Sequence, residues 1–401
     1  MAADVLVLNT AVTDFRREDF AFADELVGKG GLAKCETKDM PNYSQAQLAE
    51  WIKAGFACAG GCGNSAPLIA RAGLKVAVGV NLGTGHFDGL DAQGRFFYDT
   101  MTKNSIDMSQ TFIHQDLPTG TTFVHDCPGE DRGGIAYFPN ANNDFDFRVF
   151  KKAVERLEPR VVYYMYSGLS DRGDANGGRD LADFIRWCRE KGIVTIADSH
   201  TLTGSPRQLI DSNAAVAEYK LLEPLLSELD LFFTSYDEAR MIENTIGKKN
   251  RPGNLTEDEY IPGFLDFLAD KSWKDNDRTR MFGVTVSNGA YEKHIRPNNN
   301  PSTPAKVKSD FMAGEVIDLV GAGDSFRAGL ISYIAKNIEE FVTGQIDFAQ
   351  AVQMGNLFAS LYIKAPLNDR YGNIGSYDKM LEVVKRGAGY NNFADLLADL
   401  I

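Results

Sequence analysis

The residues with the clearest chemistry lie in Asp318-Leu319-Val320-Gly321-Ala322-Gly323-Asp324, which runs into a helical pattern over 325–335. Two glycines and an alanine ahead of a helix leave backbone N–H groups uncovered. With the positive end of the helix dipole, those donors make an anion site. A carboxylate held in that turn, Asp324, can take the proton of a hydroxyl that attacks a phosphoryl group. The amides of Gly321, Ala322 and Gly323 would neutralise charge on the transferred group. The plainer reading is a helix start, with Asp324 as N-cap and Ala328 and Gly329 allowing close helix packing.

A second constellation is Gly60-Gly61-Cys62-Gly63-Asn64-Ser65-Ala66, followed by Gly73 and Gly83. Gly60 and Gly61 let the backbone approach a polyhydroxylated ligand. The Asn64 amide can donate to and accept from neighbouring hydroxyls; the alternative is a turn capping a helix over 65–72. Glu238, in Thr234-Ser235-Tyr236-Asp237-Glu238, is a carboxylate suited to Mg²⁺ through waters, or an ordinary first-turn helix acid. Cys58 and Cys62 lie four apart with no partner pair at metal-ligand spacing, so they read as packed thiols rather than a zinc site.

The elements that must position these groups alternate along the chain. Apolar runs at 4–9, 75–80, 160–166, 193–198, 229–234 and 281–286 read as buried strands. Those at 163–166 and 231–233 are almost continuous, the pattern of parallel strands covered on both faces. Amphipathic stretches at 44–54, 65–72, 148–157, 178–191, 217–228 and 236–243 read as helices. The alternation predicts an α/β fold with an open, doubly wound, mostly parallel sheet. Segments 16–41 and 119–138 break the rhythm and predict a small antiparallel sheet outside the main one. Segment 248–262 reads as a surface insertion, 297–304 as a loop, and 376–401 as two helices split at 387–392.

The chain has 401 residues, 44% hydrophobic and 24% charged, with a formal net charge of -13. That excludes wholesale disorder and argues against nucleic acid or an anionic membrane as a main partner. Five scattered cysteines imply no disulfide framework, so a reducing, cytoplasmic setting is expected. No uncharged apolar stretch approaches membrane-spanning length.

The segment around Gly321 and Asp324 resembles the C-terminal signature of the ribokinase/PfkB sugar-kinase family, with Leu319 at a place usually held by a small or hydroxyl residue. The segment around Gly60 to Asn64 resembles the family's N-terminal pattern except at Cys62. The resemblance implies a ribokinase-like three-layer fold: a core over 1–14, 42–96 and 139–401, and a β lid over 15–41 and 97–138. It implies an ATP-dependent sugar kinase using Mg²⁺, and leaves a monovalent cation (K⁺) open. Asp324 becomes the base and Gly321, Ala322 and Gly323 the anion hole. Asp14, Gly60, Gly61, Asn64 and Gly168 would bind the sugar. Ser235, Thr285, Ser287, Gly289 and Asn356 would bind nucleotide, with Glu238 near Mg²⁺. Thr119 to Thr122 resemble the returning lid strand and Asn140-Ala141-Asn142 the chain's return to the core. The family's aspartate pair after Gly83 is replaced by Thr84-Gly85-His86, and His86 reads as a surface or lid-hinge residue. Two alternatives remain on the same fold: an adenosine-like nucleoside kinase, with Phe15, Phe20, Phe22 and Phe123 as an aromatic slot, or a non-catalytic binding protein. Exposed lid edges suggest a homodimer through that sheet.

Overall fold

Val5–Leu8 is apolar at every position and fully buried. Such a strand needs cover on both faces, and it sits inside the main sheet, paired in parallel with Val76–Phe87 and Val161–Ser167. The computed structural model describes residues 2–127, 133–204, 206–247, 254–272, 277–387 and 389–400. From one edge the main sheet runs Asn300–Pro301, Gly289–Arg296, Arg280–Val286, Leu231–Ser235, Val194–Ser199, Val161–Ser167, Val5–Leu8, Val76–Phe87 and Asp107–His114. Every pairing from Arg280–Val286 to Asp107–His114 is parallel. The pairings of Gly289–Arg296 with its neighbours, including Ala305–Lys308, are antiparallel. The expected doubly wound, mostly parallel sheet is present. Among the described residues no helix is long and apolar enough to cross a membrane.

The smaller sheet differs in detail from its sequence reading. Its order is Leu32–Lys34, Ile135–Phe138, Gly120–His125, Ala11–Arg17, Ala57–Gly61. It is mixed rather than antiparallel: Ala11–Arg17 pairs in parallel with Gly120–His125, and Leu32–Lys34 in parallel with Ile135–Phe138. The boundaries also shift. Ala11–Arg17 follows a corner at Asn9 and Thr10, both with positive φ, that carries the chain out of the main sheet and into the small one. Ala57–Gly61 pairs with it, although this segment was expected in the core. Conversely, strand Asp107–His114 was expected in the lid, yet it pairs with Val76–Phe87 at the main sheet's edge, and helix Ala92–Lys103 runs across the expected boundary at 96/97. A strand joins the sheet whose register it pairs with, which sequence order does not reveal.

The segment 217–228 is a broken run of 3₁₀ and α turns rather than one helix, with Pro224 in its middle. Of the expected insertion at 248–262, residues 248–253 lie outside the described residues. Residues from Glu257 begin the helix Glu257–Lys271, started by a Thr256/Glu259 capping box. Two C-terminal helices form as expected, Tyr377–Arg386 and Phe393–Leu400.

Helix Ala322–Lys336 packs tightly on Phe348–Ile363. A Cβ at Gly329 would lie 2.4 Å from the Met354 carbonyl, and one at Gly355 would lie 2.7 Å from the Phe326 ring. The two glycines are therefore what lets these helices approach, as the plainer sequence reading of Gly329 expected. Behind the sheet, Arg278 donates to Asp230 through Nε at 2.9 Å and to the Ile193 carbonyl through Nη2 at 2.9 Å; the aspartate is fully buried. Breaking a buried pair leaves a charge without its partner. Arg278→Ala is expected to lower the unfolding free energy by about 3–5 kcal/mol, read from urea denaturation. A loss below 1 kcal/mol would show that the pair does not anchor this end of the sheet.

Candidate active site

The carboxyl ends of four parallel strands, at Tyr166, Ser199, Ser235 and Thr285, and the start of helix Ala322–Lys336 meet at one place. Open α/β sheets bind ligands there because the loops diverge and helix N-termini point inward. Gly321 takes the N-cap position with φ 87°, and a Cβ on it would press on the Tyr362 ring at 2.9 Å. A left-handed cap in that confinement calls for glycine. Asp324 is then the third helical residue, not the cap, and its side chain is buried.

Its carboxylate is closely held. Tyr166 donates its hydroxyl to Oδ2 at 2.6 Å and Asn64 donates its amide to the same oxygen at 2.9 Å. Arg327, one turn on, reaches Oδ1 at 3.3 Å, and Ser65 donates to the Asp324 carbonyl at 3.1 Å. Burial raises the Asp324 pKa, while Arg327, Tyr166 and Asn64 pull it back down without cancelling the rise. A raised carboxylate is the stronger base.

The expected anion hole is only partly available. Ala322 donates its amide to the Leu319 carbonyl at 3.0 Å. No acceptor among the described residues meets the amides of Gly321, Gly323 or Asp324. The free donors are therefore these three, with Asp324's own amide in place of Ala322's.

Two cavities meet at Asp324. The larger, of about 1160 Å³, is lined by Ser235, Glu238, Thr285, Gly321, Gly323 and Asp324, with the cations Lys29, Arg207 and Arg327. Ser199 also lines it, and its buried hydroxyl has no partner among the described residues. The smaller cavity, of about 80 Å³, lies under the small sheet. Its polar lining comprises Asp14, Asn64, Thr122, Tyr137, Tyr166, His200 and Asp324. Gly321, His200, Val320 and Asp324 border both cavities.

The other expected site residues divide. Gly61 lines the inner cavity, and Gly60 stands behind Asp14: a Cβ there would lie 2.3 Å from Asp14 Oδ2. The glycine at position 60 thus makes room for the Asp14 carboxylate. Asn64 lines the inner cavity, but both ends of its amide have protein partners, Asp324 and the Tyr362 hydroxyl, the latter at 3.0 Å. Gly168 turns with φ 101° against Leu202 and donates to Asp174, behind the cavity wall. Ser235 and Glu238 form a capping box, and Glu238 Oε2 also accepts from Thr234 at 2.7 Å. The first-turn helix role expected as the alternative is therefore real, although Glu238 still borders the large cavity. Ser287, Gly289 and Asn356 are not brought to it. Gly289 begins the returning antiparallel strand, and Asn356 donates to Gln353 at 3.0 Å. His86 is exposed at the end of its strand. Cys62 is buried and donates its thiol to the Asn9 carbonyl at 2.6 Å.

Sequence reading missed Tyr166, Asp198, His200 and Arg327. Arg327 Nη1 lies 3.1 Å from Asp198 Oδ2, and Nε and Nη2 donate to the Phe233 carbonyl at 3.2 and 3.0 Å. Asp198 also accepts from the Tyr163 hydroxyl and the Tyr166 amide, each at 2.8 Å. Burial pushes Asp198 up to about 6 even against Arg327. The signal was present in part: Asp198 closes an apolar strand, and Arg327 is a second charged residue in the first turns of a largely apolar helix.

A large, mostly parallel sheet, a small separate sheet and a helix N-terminus at their junction define the ribokinase-like class of α/β folds. Residues 305–368, which contain the Asp324 motif, match the model of the pfkB family carbohydrate kinases. Fructokinase with bound ATP from Xylella fastidiosa superimposes with a TM-score of 0.63 at 15% identity, covering 96% of this chain and 99% of that one. Adenosine kinase from Schistosoma mansoni in complex with 2-fluoroadenosine gives 0.64 at 17% identity, covering 94% and 99%. A PfkB protein from Polaromonas sp. JS666 gives 0.58 at 17%, covering 94% and 99%. No curated protein matches the sequence. The resemblance to the ribokinase/PfkB family carried by the two motifs is thus met by a family match over the second motif and by the fold of almost the whole chain.

Asp14 offers a test of how the inner cavity is tuned. Burial lifts its pKa from 3.8 to about 6, against the lowering effects of Arg16 and Thr122. The folded protein then holds a proton that the unfolded chain releases between about pH 4 and 6, so stability falls as pH rises through that window. Asp14→Asn is expected to be more stable than wild type at pH 7.5, by at most about 3 kcal/mol, and to lose that advantage below pH 4. Thermal melts at the two pH values check it; an advantage independent of pH would contradict a raised carboxyl at this position.

Proposed function

We propose that this protein transfers the γ-phosphate of ATP to a hydroxyl of a sugar or sugar-like alcohol. The observation that carries the reading is that Asp324 borders both cavities while unpaired amides stand at the same helix start. The inner cavity takes the alcohol, under the small sheet, where Asp14, Thr122 and Tyr137 offer hydrogen-bonding groups. The outer cavity takes ATP. Its size, its cations and the unpartnered Ser199 hydroxyl suit a polyphosphate.

Asp324 accepts the hydroxyl proton as the alcohol oxygen attacks. The amides of Gly321, Gly323 and Asp324, with the helix dipole behind them, stabilise the charge on the transferring group. Arg327 holds Asp324 from the opposite oxygen, leaving the Oδ2 side toward the inner cavity, where Tyr166 and Asn64 also point. Glu238, which borders the outer cavity, would hold Mg²⁺ through waters, and the ion would add charge neutralisation on ATP. Closure of the small sheet over the alcohol would exclude water from the reacting atoms.

A sugar is favoured over a nucleoside because the aromatic residues of the lid are engaged with one another. Phe15, Phe20 and Phe123 are buried and pack against one another and against Trp51 and Tyr43, with ring centroids 5.2–6.3 Å apart. None of them lines the inner cavity. They form the lid's own core rather than a slot for a base.

ADP release across a panel of ketoses, aldoses, polyols and nucleosides tests the reading directly. Turnover of at least one sugar or polyol above every nucleoside is expected, and turnover confined to nucleosides would reverse it. Asp324→Asn is expected to fold as the parent does and to lose on the order of 10²–10⁴ in kcat on the best substrate. Near-full kcat in a folded Asp324→Asn would remove this residue from the chemistry.

A further inference from the structure

Asp24, His125 and Cys127 come together on the small sheet, away from the Asp324 site. Asp24 lies in the first turn of the short helix Phe22–Val27, and His125 ends strand Gly120–His125. Asp24 Oδ2 lies 2.8 Å from His125 Nδ1, and Cys127 Sγ lies 3.5 Å from the same nitrogen. All three ligand atoms fall within 4.8 Å of one another, and each residue is half-buried. An acid–histidine–thiol relay would place acid and thiol on opposite ring nitrogens. Here both meet Nδ1, so the groups converge on a point instead of passing a proton along a line.

The space beside that point is kept clear. A Cβ at Gly133 would lie 2.7 Å from His125 Nδ1 and 2.8 Å from Asp24 Oδ1. Any side chain at 133 would fill the volume onto which the donors face. The other Asp24 oxygen accepts from the Gly134 amide, which fixes the carboxylate's orientation. Thiolate, imidazole and carboxylate are the donor set of Zn²⁺ and its borderline neighbours, and tetrahedral ligands at zinc distances stand roughly 3.3–3.8 Å apart. The 2.8 and 3.5 Å separations, with the Asp24–Cys127 separation within 4.8 Å, need shifts of at most about an ångström to close on one ion.

We propose that Asp24, His125 and Cys127 form a binding site for one Zn²⁺-class ion, with a fourth position left to water. The ion ties the Phe22–Val27 helix to the sheet. Lys29 and Gly30, just past that helix, line the large cavity, so the ion would set the position of one wall of the site. The site does not rest on the kinase reading and can fail without it.

The full-length protein, stripped with chelator and free of nucleotide, would be titrated with Zn²⁺ by calorimetry and with Co²⁺ by absorption. The expected results are one Zn²⁺ per chain, a raised melting temperature, and a thiolate-to-cobalt charge-transfer band. Cys127→Ser should abolish the band, and His125→Ala and Asp24→Asn should each weaken Zn²⁺ at least tenfold. Cys35→Ser serves as the control that keeps both. Apo-protein melting temperatures establish that each variant is folded; should His125→Ala not fold, Cys127→Ser and Asp24→Asn decide. Absence of stoichiometric binding by the parent, or binding unchanged in Cys127→Ser and Asp24→Asn, would overturn the site.

Discussion

One buried guanidinium organises the centre of this protein. Arg327 sits between the carboxylates of Asp198 and Asp324 and donates twice to the Phe233 carbonyl. Through those contacts one helix is pinned to two strands of the parallel sheet, and through Asp198 to a third strand carrying Tyr163 and Tyr166. Burial opposes the cation, but Asp198, the Tyr163 phenol and Asp324 outweigh that and hold it charged. A charge so deep persists only with its partners in place. The arrangement therefore fixes where the helix begins, and with it the position of Asp324 and the free amides beside it.

The same constraint explains how stability and function are set against each other. Three buried carboxyls, Asp14, Asp198 and Asp324, all have raised pKa values, with burial the largest cause in each. Such groups weaken a fold near neutral pH unless something else offsets them. Here the offset comes from an extensive apolar core around the parallel strands, with a separate aromatic core on the face of the small sheet opposite the inner cavity. Two cores with a corner at Asn9 and Thr10 between their strands leave the junction free for polar groups. That junction is where the two cavities meet.

How much of this was legible in the sequence follows from what each residue interacts with. The parallel strands were readable because burial on both faces leaves an almost unbroken apolar run, as in Val161–Ser167. Asp324 and its glycines were readable because their chemistry is local to one turn. Arg327, Asp198 and Tyr166 were not, since each matters only through partners on other strands, such as the 158 residues separating Tyr166 from Asp324. The lid's edges were misjudged for the same reason: Ala57–Gly61 and Asp107–His114 carry no local mark of which sheet they join. Ala322 was assigned to the anion hole on sequence pattern, and only the turn geometry shows its amide bound to Leu319. Asn64 was read as facing a ligand, while folding points its donor at Asp324.

In the proposed reaction the carboxylate at 324 faces an alcohol on one side and a phosphoryl group on the other. A crystal structure with a turned-over alcohol and a non-hydrolysable ATP analogue tests it most directly. The reacting hydroxyl is expected within hydrogen-bond distance of Asp324 Oδ2 and the terminal phosphate against the amides of Gly321 and Gly323. An alcohol bound outside the Asp14–Tyr166 cavity, or a terminal phosphate remote from those amides, would contradict it.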